Sequence, residues 1–257
     1  MNIQFAVKIE DGQSILYVLE VNPRASRTVP FVAKATGVPI AGIAAKVMVG
    51  NTLREQKVSE VPIPRNVSVK ESVFPFRKFI GVDVALGPEM RSTGEVMGSS
   101  PRFSIAYAKS LLGAGVVLPD TGRVFVSVAD RAKDRAVKMA SDLHELGFEI
   151  LATSGTATRL EEVGIPVERV KKLKEGHPNL IDHLKNETVD MICNTPKGKG
   201  ARTDEGRIRA AAVQHGVPCI TTIEGAETVV MAIKALRKEE MEVESLQERF
   251  AESVSNS

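Results

Sequence analysis

FEILATSGTATRL, residues 148–160, decides how the second half of this chain is read. Phe148 to Thr153 is a short run of β-forming residues, and the stretch after Gly155 has helical spacing. A strand that passes into a helix through Thr153-Ser154-Gly155-Thr156 presents three hydroxyls and a glycine that lets a ligand approach the backbone. The free N–H groups of a helix start favour an anion. The plainer alternative makes Thr156 an ordinary helix N-cap, and the motif alone does not choose between the two.

Working outward, the same alternation continues on both sides. RVFVSV (123–128) reads as a strand, with Asp130 capping a helix that runs to Leu146. PVERV (166–170), VDMICN (189–194) and PCITT (218–222) read as three more strands. Helices are predicted over 156–164, 179–186, 204–216 and 226–238. A series of strands each followed by a helix implies a parallel sheet covered on both faces, an α/β fold. Lys133 opens the helix after the first strand. Thr153 and Thr156 follow the second, Lys172 follows the third and Asn194 ends the fourth. All lie at carboxyl ends of parallel strands, where open α/β sheets bind ligands. Lysines, hydroxyls and one amide suit a phosphate carrying a sugar or base.

The first half is less regular. Residues 2–9 alternate, 15–20 form a second strand, and Asp11-Gly12 marks a hairpin. Helices are expected over 28–37 and 40–50, each stopping at a glycine. Residues 57–100 resist assignment, 101–115 reads as a helix and 113–122 as a linker. The tail EEMEVESLQERF reads as a charged helix, and SVSNS as frayed. EVNPRASRT (20–28) packs unusual polarity onto a strand end. Glu20 and Asn22 share a face, so their oxygens suit a hard cation such as Mg²⁺. Arg24 and Arg27 suit phosphate or carboxylate. A turn leaving 11–13 unpaired would set Gln4 opposite Glu20. An edge-strand ion-pair network among Glu20, Arg24 and Arg27 is the alternative, and spacing alone does not decide.

Composition excludes several classes. With 34 basic and 32 acidic residues the net charge is +2, which gives no electrostatic case for nucleic acid or an anionic membrane. Aromatics make up 4% with no Trp, which argues against base stacking. Cys193 and Cys219 sit in apolar runs and read as buried thiols of a reducing cytoplasm. No apolar run approaches about eighteen residues and no signal peptide is visible, so a soluble cytoplasmic protein is expected. His144, His177, His183 and His215 lack metal spacing, and GKG (198–200) lacks the spacing of a phosphate-binding P-loop.

EVNPRASRTVPFVAKATGVP (20–39), SVKESVFPF (68–76) and LGPEMRSTGEVMG (86–98) resemble the carbamoyl-phosphate synthase large-subunit family, and the similarity covers essentially the whole chain. It implies that 1–120 is the closing part of the second, carbamate-phosphorylating ATP-grasp unit, seen as a hairpin plus helices. Residues 121–257 would be the methylglyoxal-synthase-like regulatory domain, a three-layer α/β/α domain on a five-stranded parallel sheet. By resemblance Gln4, Glu20 and Asn22 hold Mg²⁺ or Mn²⁺ with ATP as substrate, and Arg24 and Arg27 flank the transferring phosphate. Lys133, Thr153, Ser154, Gly155, Thr156, Lys172 and Asn194 bind an effector nucleotide such as UMP or IMP. Glu71 and Thr221 lie in the ornithine region. The implied partners are the rest of the large subunit or a separate N-terminal subunit, a glutamine amidotransferase small subunit, and a second copy through the regulatory domain.

The family's nucleotide-enclosing lysine and glycine-rich loop have no counterpart in these residues, so the chain is expected to be a fragment or one subunit of a split enzyme, inactive alone. Pro196 and Cys219-Ile220 depart from the family pattern and put base preference and ornithine response in question. The hairpin loop KIEDGQSIL is longer than the family's. VERVKKLKEGHPNLID (167–182) lacks the Gly-Gly-Asp segment that a methylglyoxal synthase needs for its base.

Overall fold

Strand alternation sorts the core of the second half of the chain into two layers. The computed structural model describes residues 1–58, 63–73, 94–195 and 204–254, with side chains to 250. Residues 74–79 and 86–93, Pro196 and most of the loop 196–207 lie outside the described residues. Two compact units emerge: residues 1–65 with 243–257, and residues 66–242.

The first unit begins with an antiparallel hairpin, β1 (Asn2–Glu10) and β2 (Gln13–Asn22). Asp11 (φ 49°) and Gly12 (φ 78°) make a two-residue turn, the left-handed pair that matches strand twist. The pairing runs Phe5 to Val18 and Gln4 to Glu20, so Leu19 is an extra, bulged residue. Gln4 thus faces Glu20 as expected, but through a two-residue turn and a bulge rather than a three-residue turn. Helices α1 (Thr28–Thr36) and α2 (Ile40–Met48) follow. Gly37 ends α1 in the left-handed region (φ 75°), its N–H on Ala33 O. Neither helix has a buried residue, and Phe5, Val7, Ile9, Leu16 and Val18 of the hairpin are all more than half exposed.

The second unit opens with β3 (Val67–Val73) paired antiparallel to β4 (Gly94–Ser100), and α3 (Phe103–Gly113) lies against both. A Cβ on Gly98 would lie 2.0 Å from Ala106 O and 2.4 Å from Ser110 N, so only glycine lets β4 approach α3 this closely.

The strands β5 (Arg123–Ser127), β6 (Glu149–Thr153), β7 (Glu168–Val170), β8 (Met191–Asn194) and β9 (Cys219–Ile220) form one parallel sheet in the order β7-β6-β5-β8-β9. Between them run α4 (Lys133–Glu145), α5 (Ser154–Glu161), α6 (Leu180–Lys185) and α7 (Asp204–His215), and α8 (Ile223–Leu236) follows β9. Val124, Val126, Ile150, Met191 and Cys193 face one layer with Met139, Leu143, Val230 and Ile233. Phe125, Leu151 and Ile192 face the other with Leu180, Leu184 and Ile208. This two-sided apolar run is what a doubly covered parallel sheet requires. Asp130 does not cap α4; it opens a 3-10 turn over Asp130–Ala132 that leads into it. The last described helix, α9 (Leu246–Val254), belongs to the first unit. No single helix among the described residues is long and apolar enough to cross a membrane.

Candidate functional site

In the sheet order the first strand, β5, sits centrally, with its successor β6 on one side and β8 on the other. The chain reverses its winding there, and a crevice opens beyond the carboxyl ends of β5 and β8. A cavity of about 220 Å³ occupies that place, and Lys133, Thr153, Gly155, Thr156, Lys172 and Asn194 line it. Of the expected pocket residues, Ser154 alone is not in its wall.

Each wall residue has a local reason to be there. Thr153, the N-cap of α5, makes no side-chain cap, so the N–H groups of the first turn are left without one. The Thr153 hydroxyl instead bonds Ser127 Oγ at 3.1 Å, joining the ends of β5 and β6. Thr156 is not the N-cap: it lies inside the first turn, 3% exposed, and its Oγ1 accepts from Val128 N at 3.4 Å. A Cβ on Gly155 would stand 3.4 Å from Lys133 Nζ, so the glycine leaves the ammonium room beside the helix start. Lys133 Nζ is held by Asp130 Oδ1 at 2.9 Å.

Asn194 carries the most information. It is 3% exposed, and its Nδ2 has no hydrogen-bond partner among the described residues. A buried amide donor without an acceptor is costly, so a ligand oxygen in the cavity is its natural complement.

Sequence reasoning passed over several wall residues. Lys171 lines the cavity and its Nζ donates to His177 O at 2.5 Å. Thr195 accepts from Ala129 N at 2.9 Å, tying the two loops that border the crevice. Asp204 and Glu205, at the start of α7, bring carboxylates to the wall, and Leu173 and Ile208 bring apolar surface. Lys171 and Thr195 directly follow β7 and β8, beside the predicted Lys172 and Asn194, whereas Asp204, Glu205 and Ile208 come from α7, where the strand-end rule does not look.

In the first unit, Glu20 Oε1 accepts from Gln4 Nε2 at 2.7 Å and from Asn22 Nδ2 at 2.8 Å. The three expected metal-binding side chains therefore meet at one carboxylate oxygen. Rotating either amide by 180° would turn its oxygen inward, so this all-oxygen donor set fits a hard cation. Among the described residues Glu20 forms no ion pair with Arg24 or Arg27, so the edge-strand network is not what forms. Arg24 Nη1 donates to Ala25 O at 3.1 Å, and Arg27 stands at the N-cap of α1. Ser26, unremarked in the sequence, organises this turn: its Oγ accepts from Asn2 Nδ2 at 3.2 Å and Thr28 N at 3.1 Å.

Glu71 on β3 is half-buried, and desolvation raises its pKa. Tyr107 on α3 is pushed up by burial and by the Glu71 charge. Thr221 lies between β9 and α8, and no hydrogen bond joins it to Glu71 among the described residues.

The family described as MGS-like domain matches residues 135–221, and the family described as carbamoyl-phosphate synthase L chain, ATP binding domain, matches residues 1–56. The carbamoyl phosphate synthase large chain of Rhodopirellula baltica is 68% identical over 254 residues, 99% of this chain and 24% of that one. The chain belongs to the carbamoyl phosphate synthase large-chain family. Large chains from Nostoc sp. (51% identical, 96% of this chain and 23% of that one) and Archaeoglobus fulgidus (52%, 98% and 23%) agree. The chain thus spans about a quarter of the length of these curated relatives. A crystal structure of ForH also overlaps, at 19% identity and a TM-score of 0.32, over 52% of this chain and 90% of that one.

Proposed function

We propose that this chain supplies two parts of a carbamoyl phosphate synthase large chain: a segment of the site that phosphorylates carbamate with MgATP, and a regulatory pocket for a nucleoside monophosphate. The functional boundary falls between residues 120 and 121. The observation that carries the pocket is the unpartnered buried Asn194 amide facing a cavity already rimmed by Lys133, Lys172 and an uncapped helix start. The phosphate sits against the Gly155-Thr156 N–H groups and the two ammonium groups. Asn194 donates to a ligand oxygen. The sugar and base lie toward Leu173, Ile208 and the carboxylates of Asp204 and Glu205, which suit hydroxyl donors.

Gln4, Glu20 and Asn22 would hold Mg²⁺, which when bound supplies positive charge to the nucleotide phosphates. Arg24 and Arg27 orient and neutralise the transferring phosphoryl group, which is charge stabilisation rather than covalent chemistry. The convergence of the three side chains on one oxygen supports this part. Glu71 and Thr221 contribute to a cationic-effector region such as one for ornithine, Glu71 being a half-buried carboxylate. The exposed apolar face of the hairpin packs against the remainder of the synthetase, and a glutamine-hydrolysing small subunit supplies ammonia. A second copy docks through the regulatory domain, and the setting is the cytoplasm.

Calorimetric titration tests the regulatory part. UMP or IMP should release heat with the wild-type chain and roughly tenfold less tightly with Lys172→Ala, the loss of one charged contact. Absence of heat with every phosphorylated ligand would contradict the pocket. Mixing the chain with the polypeptide that matches the rest of the large chain tests the other part: carbamoyl phosphate should form in the mixture and not with Glu20→Ala.

A further inference from the structure

Lysines and carboxylates meet in the wall of the crevice: Lys133, Lys171 and Lys172 stand with Asp130, Asp204 and Glu205. The three ammonium groups are not equally open to an incoming anion. Lys171 Nζ is engaged by the backbone, donating to His177 O at 2.5 Å. Lys172 Nζ stands 3.9 Å from Glu175 Oε1 with both side chains well exposed, a loose pair. Lys133 Nζ meets Asp130 Oδ1 at 2.9 Å. Among the described residues it alone of the three has a carboxylate within hydrogen-bond distance. That pair lies at the phosphate seat. A Cβ on Gly155 would stand 3.4 Å from Lys133 Nζ, so the ammonium rests against the first turn of α5. Asp130 therefore does in the empty crevice what a phosphate oxygen would do, and neutralises Lys133 through a charge-assisted hydrogen bond.

The backbone that carries Asp130 is tied down on both sides of the crevice. Val128 N donates to Thr156 Oγ1 at 3.4 Å, and Ala129 N donates to Thr195 Oγ1 at 2.9 Å. The 3-10 turn Asp130–Ala132 then leads directly into α4, with Ala132 N on Ala129 O at 2.9 Å. The movable part is the Asp130 side chain itself, 74% exposed against 27% for Lys133. Turning it into solvent breaks one exposed ion pair, a small cost. The same rotation takes a negative charge away from the place where a phosphate would bring its own.

We propose that Asp130 is a latch on the phosphate seat: its carboxylate holds Lys133 while the crevice is empty, competes with an incoming phosphate for that ammonium, and swings into solvent when the ligand binds. Asp130 thus sets the affinity of the pocket without touching the ligand. The inference rests on the nucleotide reading above. A carboxylate that merely oriented Lys133 for the ligand would act with the opposite sign. Calorimetric titration of the whole 257-residue chain with UMP separates the two. Asp130→Asn keeps the shape and removes the charge, and it should bind UMP roughly fivefold more tightly than the wild type, the size of one exposed ion pair. Asp130→Ala should do the same, and inorganic phosphate should follow the same order. The gain should shrink at high ionic strength. It should also fall below about twofold when Asp130→Asn is made on a Lys133→Met background, where no ammonium is left to compete for. Unchanged or weaker UMP binding in both Asp130 variants would overturn the latch and leave the pocket standing. An undiminished gain on the Lys133→Met background would overturn competition for Lys133, and with it the latch. No heat from UMP with either the wild type or Asp130→Asn would overturn the nucleotide pocket and the latch together.

Discussion

Asn194 shows what one residue can and cannot announce. Its place at a strand end was legible in VDMICN, because a polar residue closing an apolar run in a parallel sheet falls where ligands bind. That its amide nitrogen is sealed and, among the described residues, unpartnered follows from the packing of the folded chain and not from local pattern. Asn194→Leu keeps the bulk and removes the donor, and we expect roughly tenfold weaker UMP binding by calorimetry with the melting temperature maintained or raised. Cys193 and Cys219 were read as buried thiols. Register pairs Ile192 with Cys219, which sets the two cysteines on opposite sheet faces. Desolvation pushes both thiols up to about 12. Cys193 is buried and Cys219 only partly so, so Cys193 should resist thiol reagents at neutral pH until the chain is unfolded, and its rapid labelling in the native chain would contradict its burial. Glu71 titrates the other way from an ion-paired carboxylate. Its folded pKa is raised by desolvation, so it favours the fold below the unfolded value, and that contribution is lost as pH rises through the folded one. Glu71→Gln should accordingly raise the melting temperature at pH 8 and leave it nearly unchanged at pH 4.

At the scale of elements, the five parallel strands and their helices were legible because both periodicities and the glycine stops agree there. The pair β3–β4 was not. GEVMGSS carries two glycines and two serines in seven residues, which reads as loop. Its strand character comes from pairing with β3 and from α3 pressed onto Gly98, contacts invisible to local pattern. Gly98→Ala should destabilise the second unit by about 2–4 kcal/mol, read from the urea midpoint, since the new methyl meets backbone atoms that cannot swing away. The hairpin bulge was also hidden: turn residues fix the loop length, but the extra residue at Leu19 follows from the twist of the pair. The sequence reads α9 as a charged helix, but that Phe250 covers Gly37 at the end of α1 is not legible there, because a single phenylalanine gives no sign of which glycine it will cover. The reciprocal capping pair at its start, Ser245 with Glu248, has a pH limit. Ser245 holds Glu248 below the ordinary 4.5, so the cap contributes above that value and is lost as pH falls through the lowered one. Exchange over 246–250 should quicken at pH 3 relative to pH 6.

For the whole molecule, the structure divides by packing, with the second unit inserted in the first. Because α3 packs on α8, β3, β4 and α3 travel with the parallel sheet. The hairpin of the first unit exposes apolar side chains on both strands, Phe5, Val7, Leu16 and Val18 among them. We propose that the crevice at the β5/β8 switch point receives a phosphate. Solving the structure of the chain with UMP tests it most directly. The phosphorus should lie against the Gly155-Thr156 amides and within reach of Lys133 and Lys172, with Asn194 Nδ2 on a ligand oxygen. UMP bound elsewhere, with Asn194 still unpartnered, would contradict a phosphate site in this crevice.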